Sequence, residues 1–122
     1  MDANRLICRL ADLSELDARA FTAGSGEWPL RGFIVRKGEQ VFAYVNRCPH
    51  AGHPLNMQPK DFLTQDGALL MCRSHGAQFE IQSGECIAGP CVGKRLRAID
   101  VRIENGRVML ADDPDELAAR LA

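Results

Sequence analysis

The sequence predicts an all-β protein, an antiparallel β-sandwich or barrel with a short C-terminal helix. Three observations support this fold class. Short runs rich in strand-forming residues end at two-residue turn pairs, one later stretch alternates between apolar and polar residues, and helical periodicity appears only near the end of the chain. Because such turn pairs form hairpins, we expect neighbouring strands to be antiparallel.

The predicted strands follow the turn pairs along the chain. The runs 33–36, 62–65 and 79–82 each precede a turn pair that ends in glycine, and the apolar runs 41–45 and 68–71 are also predicted strands. The clearest hairpin joins 98–104 to 107–110 through Asn105-Gly106, because Asn-Gly supplies the two residues with positive φ that a type I′ turn needs.

The stretch 98–104 has the alternation of a half-buried strand. Ile99, Val101 and Ile103 fall on one face, and charged residues fall between them. Side chains alternate between the two faces of a strand, so we expect these three residues to share one buried face.

The end of the chain has the pattern of a helix start. Asp113 can cap the helix, Pro114 suits its first position, and Leu117 and Leu121 have helical spacing. We therefore expect a short helix beginning near Pro114.

Length and composition predict one globular domain over residues 1–122. The chain is 46% hydrophobic and 25% charged, with 15 basic and 16 acidic residues and a net charge of −1. It has no run of five or more like charges and no apolar stretch long enough to span a membrane. We expect no nucleic-acid partner, no membrane partner and, since no secretion signal is visible, a cytoplasmic location.

Five cysteines in such a chain are not expected to form a disulfide framework, because the cytosol keeps thiols reduced. Cys and His at short spacing indicate metal ligands instead. Two segments have this pattern, 48–55 and 72–79, and each follows an apolar strand-like run. Each offers one thiolate and one imidazole, so two loops together can hold a metal centre. Tetrahedral zinc, which accepts two Cys and two His, is one possibility.

The wider sequence resembles the Rieske family. The shared pattern is C-x-H-x-G, a spacer, C-x-x-H-G, an aromatic residue and a Gly-Pro turn, and it extends over about 33–110. In this chain the pattern corresponds to Cys48, His50 and Gly52, then Cys72, His75 and Gly76, then Phe79 and Gly89-Pro90.

The resemblance implies a Rieske-type [2Fe–2S] cluster, one per chain. Cys48 and Cys72 would bind the inner iron, and His50 and His75 the outer iron. It also implies a Rieske-like sandwich or barrel with an inserted cluster-binding subdomain at about 47–88. The 21 residues between His50 and Cys72 are more than the commonest family spacing, so we expect a longer loop or hairpin around 59–67.

Within the family, this chain resembles the low-potential, ferredoxin-like class. It has His53 and Ser74 where the quinol-oxidising class has a pair of disulfide-forming cysteines, and Ala77 and Phe79 where that class has hydroxyl donors. Fewer donors to the cluster sulfurs stabilise the reduced cluster less, which lowers the reduction potential.

The implied function is one-electron transfer and not catalysis by this chain alone. No nucleophile with an adjacent base, phosphate-binding glycine loop, nicotinamide motif or flavin motif is visible. The resemblance implies a ferredoxin that passes electrons from a flavin-dependent reductase to a terminal oxygenase. Two alternatives remain open: the small Rieske subunit of a nitrite reductase, and a structural Cys2His2 zinc module for protein contact.

The remaining histidine and cysteines have simpler interpretations. We expect His53 to be a partly exposed neighbour of the site and not a ligand. Cys8, Cys86 and Cys91 are expected to be small buried hydrophobic residues. A disulfide between Cys86 and Cys91 is the alternative for that pair.

Overall fold

The structure is a computed structural model that describes residues 5–27, 29–49, 52–58, 60–74 and 76–121. Within these residues it has ten strands, one 3-10 turn at Leu10–Asp12 and one α-helix, α1 (Pro114–Leu121). The strands are β1 (Leu6–Arg9), β2 (Ala18–Ala23), β3 (Leu30–Lys37), β4 (Gln40–Val45), β5 (Leu69–Met71), β6 (Gln78–Glu80), β7 (Cys86–Ala88), β8 (Ala98–Ile99), β9 (Val101–Glu104) and β10 (Arg107–Leu110). The predicted all-β class with a short C-terminal helix is confirmed.

The strands form three antiparallel sheets. The outer sheet has the order β1-β10-β9, the middle sheet β2-β3-β4-β8, and the third sheet β5-β6-β7. The third sheet lies within the stretch expected to form the cluster-binding subdomain. It connects directly to the second of the two Cys/His segments.

Strand β3 of the middle sheet has buried side chains on both of its faces. Phe33 and Val35 on one face belong to a core that also contains the third sheet and both candidate cysteine ligands. Leu30 and Ile34 on the opposite face belong to a second core with the outer sheet and α1. Because successive side chains of a strand point to opposite faces, β3 joins the two cores.

The predicted Asn-Gly hairpin is present between β9 and β10. Asn105 has a φ of 52° and Gly106 a φ of 74°, and Glu104 pairs with Arg107 across the two-residue turn. Helix α1 begins as expected, with the Asp113 carboxylate accepting hydrogen bonds from the Asp115 and Glu116 amides at 3.1 and 3.2 Å. In the described ranges, no helix is long and apolar enough to cross a membrane.

The expectation of one buried face along 98–104 is wrong. The chain leaves the middle sheet after Ile99 and enters the outer sheet at Val101, so the run is two strands in different sheets. Ile99 is 3% exposed, whereas Ile103 is 40% exposed. Because the chain changes sheet at Asp100, Ile99 and Ile103 do not lie on one face as they would in a single strand.

The predicted strand at 62–65 is reduced to a single β-bridge between Leu63 and Leu70. The Asp66 carboxylate accepts hydrogen bonds from the Thr64 hydroxyl and the Ala68 amide at 2.6 and 3.0 Å. Such side-chain bonds compete with a strand ladder and close the turn early. Phe62 is fully buried and stacks on Phe33, with ring centroids 4.5 Å apart.

Replacing Tyr44 should test the contact between the middle and third sheets. Its buried hydroxyl donates to the Ile81 carbonyl at 2.6 Å. Tyr44→Phe leaves that carbonyl without its donor, so we expect a loss of about 1–2 kcal/mol in the free energy of unfolding measured with denaturant. Ser83→Ala removes an exposed hydroxyl and is the control. An equal loss in both variants would contradict the prediction.

The same tyrosine should make stability depend on alkaline pH. Burial raises the pKa of Tyr44 from 10.0 to about 12. The folded protein therefore favours the neutral phenol, and this contribution is complete below pH 10 and lost as pH rises from about 10 to 12. We expect the melting temperature to fall less steeply across that window in Tyr44→Phe. Identical slopes in both proteins would count against it.

Candidate metal centre

Two loops place the candidate ligands just after two strands that belong to different sheets. The first ligand loop, 48–53, follows β4, and the second ligand loop, 72–77, follows β5 directly. Cys48 and Cys72 are the first residues of these loops, and each is 1% exposed. His50 and His75, the other two candidates, lie outside the described residues.

The two loops share one pattern of backbone hydrogen bonds. In the first, the Cys48 amide donates to the His53 carbonyl at 2.7 Å, and the Gly52 amide donates to the Cys48 carbonyl at 2.8 Å. In the second, the Cys72 amide donates to the Ala77 carbonyl, and the Gly76 amide to the Cys72 carbonyl, both at 2.9 Å. Each cysteine is thus fixed through both its amide and its carbonyl.

The fifth residue of each loop is a glycine in the left-handed region. Gly52 has a φ of 73° and Gly76 a φ of 74°. A side chain at either position would have open space around it, so the backbone conformation itself requires glycine. The glycine of the C-x-H-x-G and C-x-x-H-G patterns therefore has a conformational role.

The second ligand loop is also tied to the segment that follows the first ligand loop. The Arg73 amide donates to the Leu55 carbonyl at 2.9 Å, and the Leu55 amide donates to the side-chain oxygen of Asn46 at 2.9 Å. Asn46 also donates to the Asn56 side chain at 2.9 Å. Sequence analysis missed Asn46, because its role depends on contacts nine and ten residues away that no local pattern indicates.

A third loop packs against the second ligand loop. Gly89 has a φ of 96°, and a Cβ added there would lie 2.8 Å from the Ala77 Cα. Pro90 follows, and Cys91 is buried. The Gly-Pro turn of the sequence pattern therefore covers the second ligand loop at close range and is more than a surface turn.

Cys86 and Cys91 are buried, as expected for small hydrophobic residues, and their sulfurs lie 3.0 Å apart without a disulfide. Burial, followed by the hydrogen bond to Cys86, raises the pKa of Cys91 to about 12. The Cys48 thiol also contributes to this rise, which places Cys91 beside a candidate ligand. The Cys91 thiol therefore remains protonated at neutral pH.

His53 is exposed and contributes to the site through its backbone, since its carbonyl is the acceptor for the Cys48 amide. The Cys48 and Cys72 thiols are suitable ligands for a soft metal ion or for an iron–sulfur centre. Two thiols shielded from water and fixed by matching loops are the ligands that zinc and iron–sulfur clusters prefer.

Alanine at Gly76 should disturb the second ligand loop through backbone strain alone. A left-handed φ disfavours any residue with a Cβ, so we expect Gly76→Ala to cost about 1–2 kcal/mol in the free energy of unfolding. Gly26→Ala is the matched control, because Gly26 also has open space around it but no positive φ. Comparable destabilisation in both variants would contradict this explanation.

Comparison with solved structures finds close matches in fold. The ferredoxin of carbazole 1,9a-dioxygenase from Nocardioides aromaticivorans IC177 is 27% identical with a TM-score of 0.68, and the match covers 89% of this chain and 96% of that one. The Sphingomonas yanoikuyae B1 ferredoxin is 27% identical with a TM-score of 0.64, over 88% and 96%.

A third match supports the fold alone. It is a chain in the complex of reduced oxygenase and oxidised ferredoxin in carbazole 1,9a-dioxygenase, 22% identical with a TM-score of 0.66, over 87% of this chain and 99% of that one. No curated protein sequence matches this chain. The Rieske [2Fe-2S] domain model matches residues 5–108. The chain therefore belongs to the Rieske [2Fe–2S] domain family and carries a [2Fe–2S] cluster.

Proposed function

We propose that this chain is a one-electron carrier that passes electrons from a flavin-dependent reductase to a terminal oxygenase. The observation that carries the proposal is the pair of matching loops, each with a buried cysteine at its base, in a Rieske domain. The two 27% identical matches are ferredoxins, and this chain covers 96% of each. One of them is the ferredoxin of a dioxygenase, and a related solved complex pairs a ferredoxin with an oxygenase.

The proposed ligands are Cys48 and Cys72 on the inner iron and His50 and His75 on the outer iron. The bound cluster supplies a centre that accepts and releases one electron. Ligation by two cysteines leaves less negative charge at the centre than ligation by four, which favours reduction. Burial of both cysteines keeps water from the inner side.

The surroundings of the cysteines favour a low potential for a Rieske protein. Four amides of the loops, those of Cys48, Gly52, Cys72 and Gly76, already donate to backbone carbonyls within their own loops. Ala77 and Phe79 are fully buried and have no side-chain donor. The side chains at these two positions therefore add no hydrogen bond that would stabilise the reduced cluster.

We also propose that residues 1–122 form a single domain, with about 47–88 as its cluster-binding subdomain, and that the protein is cytoplasmic. The first agrees with the third sheet and both ligand loops falling within 47–88. The second agrees with the five cysteines, all in the described part of the chain and none in a disulfide. Nothing in the structure or the comparisons favours the nitrite reductase subunit or the zinc module.

Voltammetry of the anaerobically purified protein tests the proposed function, together with its iron, sulfide and zinc content. We expect iron and sulfide in equal amounts and a reversible one-electron wave near the negative end of the Rieske range, about −150 mV. A wave well above zero would indicate quinol chemistry. Bound zinc together with the absence of a voltammetric wave would show that the protein does not transfer electrons.

Adding a hydroxyl at Ala77 should raise the potential. Ala77→Ser restores a donor at the position where the quinol-oxidising class has one, and a hydrogen bond to the reduced centre should raise the midpoint by roughly 50–100 mV. Ala68→Ser places the same hydroxyl at an exposed position in the spacer and should leave the midpoint unchanged. An unchanged or lowered midpoint in Ala77→Ser would refute the argument from missing donors.

A further inference from the structure

The second ligand loop carries an arginine that sequence analysis did not single out. Arg73 lies directly after Cys72 and two residues before His75. Its guanidinium donates to the Leu63 carbonyl at 2.6 Å and forms an ion pair with the Asp61 carboxylate at 2.5 Å. A side chain next to a proposed ligand is thus fastened to a different part of the chain.

This ion pair is the least exposed one among the described residues. The side chains of Arg73 and Asp61 are 26% and 29% exposed, whereas each other pair has at least one side chain more than 45% exposed. Solvent therefore screens the attraction between these two side chains less than it screens a fully exposed ion pair. The pair also leaves the buried Arg73 Nε without a hydrogen-bond partner in the described part of the chain.

The partners of Arg73 lie in a short strap, residues 61–63, which is itself anchored in the core. Phe62, at the centre of the strap, is fully buried and stacks on Phe33 of the middle sheet. The Phe62 carbonyl accepts from the Met71 amide at 2.8 Å, just before the second ligand loop. The strap belongs to the spacer between the two ligand loops, so this spacer supplies the acceptors for Arg73.

We propose that Arg73 is a positioning residue for the cluster: through Asp61 and the Leu63 carbonyl it holds the second ligand loop on the strap, and its pairing with Asp61 keeps the local charge balanced. This inference rests on the proposed ligands Cys72 and His75. A partly buried ion pair often adds little net stability. Its role here is to fix the loop and the charge beside the metal centre, as side chains behind metal ligands do elsewhere.

The two functions of the pair have separable signatures. Arg73→Gln leaves the Asp61 carboxylate beside the second ligand loop without its counter-charge, which should lower the reduction potential. Asp61→Asn leaves the guanidinium unpaired, which should raise it. The double variant removes both charges, so its potential should return towards the wild-type value. A role in folding alone predicts no such opposite signs.

Retention of the cluster tests the positioning itself. We expect Arg73→Gln and the double variant to lose the cluster about 10- to 100-fold faster than the wild type under chelator, followed by visible absorbance. Arg73→Lys keeps the charge but not the two-acceptor geometry. It should hold the wild-type potential and lose the cluster at an intermediate rate, which keeps the test usable if Arg73→Gln yields little loaded protein.

The controls are Arg95→Gln and Glu85→Gln, which break an exposed ion pair at 3.6 Å whose two residues lie outside both ligand loops and the strap. Both should retain the wild-type potential and cluster-loss rate. If the Arg73 and Asp61 variants behave like these controls while the wild type holds its iron and sulfide, the positioning role is wrong and the proposed function stands. If the wild type itself binds only zinc, both proposals fall.

Discussion

Burial of β3 on both of its faces is the constraint on which the rest of the structure depends. Strand β3 places Phe33 in the core shared with the ligand loops and Ile34 in the core shared with the outer sheet and α1. Because β3 contributes side chains to both cores, the third sheet is held against the rest of the domain through the core that it shares with one face of β3. Tyr44 adds one buried polar contact to the same junction. The cluster-binding part is therefore supported by the alternation of side chains between the two faces of β3.

In the ligand loops, backbone hydrogen bonds fix the cysteines, and side chains attach the loops to their surroundings. In both loops the backbone fixes the cysteine with the same two hydrogen bonds and a glycine of positive φ. The histidines, in contrast, occupy the third position of one loop and the fourth of the other. One backbone design thus accommodates two ligand patterns. Side chains outside the patterns, Asn46 in the first case and Arg73 in the second, then attach each loop to its surroundings.

Features encoded within a few neighbouring residues were predictable from the sequence, and features that depend on distant partners were not. The Asn-Gly hairpin, the helix start at Pro114 and the glycines of the ligand patterns depend on local backbone preferences. The exposure of Ile103 depends on which sheet its strand joins, a non-local choice that alternation does not encode. Arg73 resembles an ordinary surface arginine until the strap that receives it is seen. The four ligand positions came from a resemblance and remain proposals.

The matching hydrogen bonds of the two loops bear on how fast an electron can arrive and leave. Electron transfer is slowed when bonds and nearby water must rearrange with each change of charge. Cysteines fixed at amide and carbonyl, and 1% exposed, have little freedom to shift and little solvent to reorient beside them. For a cluster held on these two sulfurs, the reorganisation energy on the cysteine side would be small, so most of the response to reduction would occur elsewhere, in whatever lies around the outer iron.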